Sequence, residues 1–498
     1  MNKLLNGLQE NTNFKYTENG AVAHKSTLDA LYDMYGLGGA YRNRNESDKI
    51  LLFKNAYEEN SLYALKCLFY LRDVLEGQGE REFFRVCLHW LAKENPEVVR
   101  HNLENIPTFG RWDDLYCLVG TPVENDMFAV IKTQLVLDIQ SDTPSLLAKW
   151  LKSENTSSEE SCLLGSKTRK YLKMTHKQYR KTLSFLRTKI NVLEKLMSEN
   201  RWEEIKFDKI PSRAGLIYKN AFARHDVNKR YEEFAKSADT KVNAKALYPY
   251  ECVEKALALR VGYGEHAYLP APENIDRLMI NKYWENLTDW FNSQELNALC
   301  MVDTSGSMWG RPINVAIALG LYCAERAKGP FAGHYMSFSS RPQLIKTNGI
   351  DFCDKVLRIF KTNLIDNTNL VAAFDLLLTT AIENFCSQED LPKNLIIISD
   401  MEIDSATGYG WPYNKNYVKV ETTMEEVRRK WEEKGYKMPH LIYWNVDARN
   451  DTILDSGPDV TYVSGFSPVI FQTIMSGKKG QDLMMEKLNS SRYECIML

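Results

Sequence analysis

Along the first 292 residues, apolar side chains recur at helical intervals. Tyr179, Leu183, Leu186, Ile190, Leu193 and Met197 alternate steps of four and three, which keeps them on one helical face. That spacing predicts an amphipathic helix over Ser184–Met197 with a packing partner. Asp48 to Leu75 mixes Leu, Phe, Tyr and Ala at similar spacing with few breakers. Gly77 and Gly79, Pro107 with Gly110, Gly120 with Pro122, Pro211 and Pro249 supply stop signals between such stretches. Helix pairs punctuated in this way predict a stacked, HEAT-like α-helical repeat region without a strict sequence period.

Near residue 293 the pattern changes. Ala298–Val302, Tyr335–Phe338, Leu395–Ile398, Leu441–Val446 and Val460–Val463 are short apolar runs that read as strands. Helical patterns at Ile313–Lys328, Leu370–Phe385 and Thr423–Lys434 separate them. Alternating strand and helix predicts an α/β, doubly wound parallel sheet with helices on both faces. Such sheets bind ligands beyond the carboxyl ends of their strands. The expected organisation is therefore a helical region over 1–292, an α/β domain over 293–475 and a C-terminal tail or helix over 476–498.

The first strand runs straight into Asp303-Thr-Ser305-Gly-Ser307. This D-x-S-x-S loop places three hard oxygen donors on one tight turn, suited to Mg²⁺ or Mn²⁺ and not to zinc. Alone, the pattern is a common Ser-rich acidic turn. Here Asn367-Thr368 adds a hydroxyl in a later loop, and Asp400 follows the strand Leu395–Ser399. In that order, Asp303, Ser305, Ser307, Thr368 and Asp400 resemble the metal-ion-dependent adhesion site of von Willebrand factor A domains. The resemblance implies that the first four contact the ion and that Asp400 acts through water. It also implies an open coordination position for a carboxylate or phosphate oxygen, hence binding without turnover.

Further phrases extend the resemblance over most of the chain. Asn367–Leu370, Ser399–Asp404, Lys437-Met-Pro439 and Ser464-Gly-Phe-Ser467 look like the family called domain of unknown function 2828. That family is similar in layout to the TROVE module of the Ro autoantigen, in which helical repeats join a von Willebrand A domain. In the helical half, Arg72-Asp73, Gly77–Arg81 and Gly110–Leu115 resemble TROVE phrases, while Tyr179–Arg187 and Pro211–Ala214 match the uncharacterised family. The Ro family implies a ring of repeats that takes single-stranded RNA ends in its hole and structured small RNAs on its basic outer face.

Composition leaves room for that reading. The 498 residues include 63 Lys+Arg against 65 Asp+Glu, a formal charge of −2, so any nucleic-acid surface must be a local patch. Lys167, Arg169, Lys170, Lys173, Lys177, Arg180, Lys181, Arg187 and Lys189 crowd residues 166–190 without an acidic residue, interleaved with Tyr171, His176, Tyr179 and Phe185. Cations with aromatics suit phosphate neutralisation and base stacking. The plainer alternative is a solvated helix face whose aromatics are core. Lys219, Arg224, His225, Lys229 and Arg230 form a second set, diluted by Asp226 and Glu232.

Other chemistries find little support. The eight histidines are scattered, no Cys or His pair has zinc spacing, and no G-x-x-x-x-G-K-[ST] phosphate loop occurs. Gly262-Tyr-Gly264 follows a helical pattern and reads as a turn. Ser305 has no general base assigned beside it, and Glu402 and Asp404 read either as the start of the next loop or as charges that tune the metal site, the former being favoured slightly. Ten cysteines without close pairs, together with a longest nearly apolar run at Val315–Ala324 and no leader pattern, predict a cytoplasmic protein off the membrane. The expectation is a non-enzymatic, Ro-like RNA-binding protein with a Mg²⁺ or Mn²⁺ site. The rival is an adaptor, assembly factor or phage component whose metal grips a partner's Asp or Glu.

Overall fold

The computed structural model describes residues 12–498 apart from 227, 263, 292–293, 339–340, 363–367 and 405–421. Within the region expected to be helical, the described residues also hold a hairpin of β1 (Phe14–Tyr16) and β2 (Val22–His24). Strands of three residues are too short to impose an apolar alternation. The hairpin is held from outside: Thr17 Oγ1 donates to Ile403 O at 2.7 Å, the Glu18 N–H to Glu402 Oε2 at 2.6 Å, and the His24 N–H to Ile453 O at 2.7 Å. The amino-terminal segment thus packs against loops of the carboxyl-terminal half.

From Ala30 to Glu285 the described residues form helices joined by turns. The Asp48–Leu75 stretch is two helices, Glu46–Glu59 and Ser61–Arg72. Asn60 terminates the first and caps the second, its side chain accepting from the Tyr63 N–H at 3.2 Å. The single helix expected over Ser184–Met197 is likewise divided into His176–Lys189 and Leu193–Ser198. Asn191 adopts φ +49° between them, a left-handed conformation that asparagine tolerates well. Tyr179, Leu183, Leu186 and Leu193 are nevertheless all buried on the predicted apolar side.

The carboxyl-terminal half is a six-stranded mixed sheet. Its strands are β3 (Ala298–Asp303), β4 (His334–Phe338), β5 (Gln343–Lys346), β6 (Asn394–Ser399), β7 (His440–Asn445) and β8 (Val460–Ser464), ordered β5-β4-β3-β6-β7-β8. The five predicted strands are mutually parallel, and β5 is an antiparallel edge strand on β4. Three of its four residues are exposed, so it carries no apolar run to betray it. β3, β7 and β8 are buried at every position, as expected of strands covered on both faces. Each buried aliphatic side chain there contributes on the order of 2 kcal/mol.

Helix Arg311–Arg326 follows β3 and packs on it. A Cβ at Gly320 would stand 2.5 Å from Val302 Cγ2, so the glycine sets how closely this helix approaches the strand. The same helix contacts Pro249–Ala258, which docks the helical half on the sheet. At the other end of the chain, helix Gly480–Leu488 leads into a strap over the helical half. Arg492 Nη2 donates to Asp73 Oδ1 at 2.6 Å, Tyr493 OH to Asp73 Oδ2 at 3.0 Å, and Asn102 Nδ2 to Met497 O at 2.6 Å. Every cysteine is a free thiol. Among the described residues no helix is long and apolar enough to cross a membrane.

Candidate functional site

The chain leaves β3 towards β4 on one side, while β6 lies on the other. The carboxyl ends of β3 and β6 therefore flank the point where strand order reverses, the usual ligand crevice of such sheets. Asp303 closes β3 and Asp400 follows β6; both are fully buried. Asp303 Oδ1 accepts the Ser305 N–H at 2.9 Å, Oδ2 accepts Ser399 Oγ at 2.5 Å, and the Ser305 and Ser307 hydroxyls lie 3.0 Å apart. Thr368 is also buried, and its carbonyl accepts the Asp404 N–H at 2.9 Å. Asn367 lies outside the described residues.

Burial, and then the Asp400 carboxylate beside it, push the Asp303 carboxyl up to about 7. Two neighbouring buried carboxylates, with the Ser305 and Ser307 hydroxyls on the loop that follows the first, make an oxygen-only donor set. A hard divalent cation would fit it and relieve the repulsion. Among the described residues no three His, Cys, Asp or Glu side chains gather as a metal-holding group. A cation held by Asp303, Ser305, Ser307, Thr368 and Asp400 would therefore depend on the hydroxyls.

Sequence reasoning passed over Arg449 and took Glu402 mainly for a loop start. Arg449, in the loop after β7, donates from Nη2 to Asp400 Oδ2 at 2.7 Å and pairs with Glu18 at 3.0 Å. Its position just past a strand's carboxyl end was the available signal. Glu402, read as a loop start, is fully buried, accepting from the Glu18 N–H and from Thr452 Oγ1 at 2.8 Å. It fixes the amino-terminal hairpin against the site.

The nine cations of residues 166–190 divide. Lys167 pairs with Glu124 at 3.0 Å and Arg169 with Glu154 at 2.9 Å. Arg187 donates to Ala148 O and Leu151 O, and Lys189 to Ser141 O. These four are spent on the fold: the segment contains no acid, but tertiary packing brings Glu124 and Glu154 to it. Lys170, Lys173, Lys177, Arg180 and Lys181 are exposed and make no ion pair among the described residues. Of the interleaved aromatics, Tyr179 is buried with its hydroxyl on Lys152 O, and Tyr171 stacks on Phe128 at 5.1 Å. Phe185 is half exposed, under Lys189. In the second set, Lys219 pairs with Asp276, His225 stacks on Trp202 and Arg230 caps main-chain carbonyls.

Beside the free cations lies a groove of about 850 Å³ lined by Lys149, Lys177, Arg180, Arg187 and Lys195, with Glu154 and Glu194 opposing. Lys149, Val192 and Glu194 also line an adjoining cavity of about 570 Å³ that carries Lys206 and Lys209. The two form one basic trough along the break between helices His176–Lys189 and Leu193–Ser198.

A relative from Acanthamoeba polyphaga mimivirus, the uncharacterized protein L728, is 28% identical over 519 residues, covering 95% of this chain and 86% of its own. The crystal structure of the RO (RSR) protein of Deinococcus radiodurans aligns over 91% of this chain and 100% of that one. Its identity is 14% and its TM-score 0.35, too low to match individual residues. The model of Domain of unknown function (DUF7788) matches residues 297–494. That of Domain of unknown function (DUF2828) matches 17–161 and 143–294, together more than half of the sequence, and the chain belongs to the DUF2828 family.

Proposed function

We propose that this is a non-enzymatic, Ro-like RNA-binding protein whose sheet half is a von Willebrand A-like domain with a Mg²⁺ or Mn²⁺ adhesion site. The RNA reading is carried by one observation. Five exposed cations without ion-pair partners among the described residues, Lys170, Lys173, Lys177, Arg180 and Lys181, cluster on one stretch of chain, and Lys177 and Arg180 of them line the basic trough. Lys167, Arg169, Arg187 and Lys189 beside them are engaged by acids or main-chain carbonyls of the fold, so these five are freer to exchange counterions for phosphates. The metal reading is supported by the buried Asp303–Asp400 pair at the strand-order reversal, with Ser305 and Ser307 beside it.

The test separates the two surfaces. Asp303→Ala should abolish the Mg²⁺-dependent rise in melting temperature and leave RNA affinity at low salt nearly intact. Replacing Lys170, Lys173, Lys177 and Lys181 with Ala should do the reverse. Absence of any salt-sensitive RNA binding by the wild type would sink the RNA reading. It would favour the rival, in which the metal's open position takes a partner protein's Asp or Glu.

A further inference from the structure

Of three phrases of the helical half, Gly77–Arg81 and Gly110–Leu115 take no part in the sites above and Pro211–Ala214 only edges the trough, yet the fold brings all three together. Tyr248 is the joint between the first and third. Its hydroxyl donates to Gln78 O at 3.0 Å, and the Arg213 guanidinium stands 5.5 Å from its ring centre. Asp114 joins the second phrase to Arg72. It accepts Arg72 Nε at 2.8 Å and the Arg111 N–H at 2.8 Å. Gly110 permits this approach, since a Cβ there would lie 2.8 Å from Arg72 Nε.

Positive charge exceeds negative at this junction. Arg213 has Glu251 at 2.7 Å, and Arg72, Arg85 and Lys152 share Asp113 and Asp114. Arg81, exposed at the start of helix Glu82–Glu94, makes no ion pair among the described residues, and neither does Arg111. Burial, and then the charges of Arg72, Arg213 and Arg81 against that of Asp113, lower the proton affinity of Arg111. These guanidinium groups therefore share one field. Arg111 lies over the Trp150 ring at 4.6 Å, and Lys149, which lines the trough, lies over the same ring at 5.7 Å. The cluster is thus continuous with the basic trough.

We propose that Arg81, Arg111 and Arg213 form a phosphate-binding site at the junction of these three loops, receiving the phosphoryl oxygens of an RNA strand that continues along the trough. Forked guanidinium donors match tetrahedral phosphoryl oxygens in pairs. Several unbalanced cations suit a phosphate chain better than a lone carboxylate. Assignment to RNA rests on the function proposed above; recognition of phosphate does not.

The experiment uses the full chain with two probes, a labelled single-stranded oligouridylate and inorganic pyrophosphate. R81Q/R111Q should bind oligouridylate about tenfold more weakly, and the slope of log affinity against log salt should flatten by roughly 0.7 for each phosphate that is no longer neutralised. Pyrophosphate should displace oligouridylate from the wild type, and R81K/R111K should recover part of the affinity. The single variant R81Q alters only an exposed side chain and should show a smaller loss of the same kind even where the double variant fails to fold. Wild-type RNA binding that R81Q/R111Q matches in affinity and slope overturns the site and leaves the RNA reading standing. If the wild type binds no RNA, that reading fails. A pyrophosphate-induced rise in melting temperature that R81Q/R111Q abolishes then assigns the site to free phosphates, and no such rise overturns it too.

Discussion

Arg449 holds Asp400: its Nη2 donates to Oδ2 at 2.7 Å, placing a guanidinium on one of the two carboxylates that a divalent cation would use. The arginine side chain is about one-third exposed whereas the aspartate's is fully buried. The pair is therefore reached from solvent on the arginine side only. An arginine and a cation would compete for one carboxylate's charge, so occupancy of the proposed metal site would be coupled to this contact.

Arg449→Gln should lower the melting temperature in chelator, because Asp400 loses its charged partner, at a cost of about 1–3 kcal/mol. The rise produced by Mg²⁺ should become larger than in the wild type. Thermal melts across a Mg²⁺ titration read both effects; an unchanged Mg²⁺ increment would show that Arg449 does not compete.

Glu425 gives a pH signature. It caps helix Thr423–Glu433 by accepting the Thr422 N–H at 2.8 Å and lies 3.6 Å from His24. Burial alone would raise its proton affinity, but the contact with His24 and the Thr422 N–H outweigh it and hold the carboxyl at about 2, below its ordinary 4.5. A carboxylate depressed in the folded state adds stability above its unfolded value and loses it as pH falls through the folded one. Glu425→Gln should therefore lower the urea midpoint at neutral pH. Its deficit against the wild type should shrink as pH drops from about 4.5 towards 2. A deficit independent of pH would assign the loss to packing.

The strap over the helical half should matter to its stability. Asp73 is fully buried and receives both Arg492 and Tyr493. Arg492→Ala leaves that carboxylate short of its charged partner, which costs about 3 kcal/mol when such pairs are broken. Chemical denaturation should show the loss. A change below about 0.5 kcal/mol would mean that Tyr493 and water suffice.

Lys167 and Lys170 offer an internal control for the RNA surface. Lys167 is bound to Glu124 at 3.0 Å, whereas Lys170 has no acid beside it among the described residues. Lys170→Ala should weaken RNA binding at low salt and flatten the salt slope by about 0.7. Lys167→Ala should leave the slope close to wild type. Equal effects would show that the Glu124 pair opens on binding.

The strands and the loop that carries Asp303, Ser305 and Ser307 were legible in the sequence because their determinants are local. A parallel strand covered on both faces is a continuous apolar run, so β3, β6, β7 and β8 announce themselves, and Asp303, Ser305 and Ser307 share one loop. Asp400 could be placed because it directly follows such a run. Charge is different, since whether a cation is free depends on acids that arrive from elsewhere. Glu124 and Glu154 quench Lys167 and Arg169 across 43 and 15 residues. Arg449 reaches Asp400 across 49, and Gly77–Arg81 meets Pro211–Ala214 only through Tyr248. The exposed edge strand β5 and the short hairpin β1–β2 bury too little to leave a pattern of their own, and they exist because β4 and the Glu402 loop receive them. Local burial wrote the framework into the sequence. Which charges remain available for a ligand was decided only when distant segments packed, because an ion pair acts over a few ångströms of space whatever the separation along the chain.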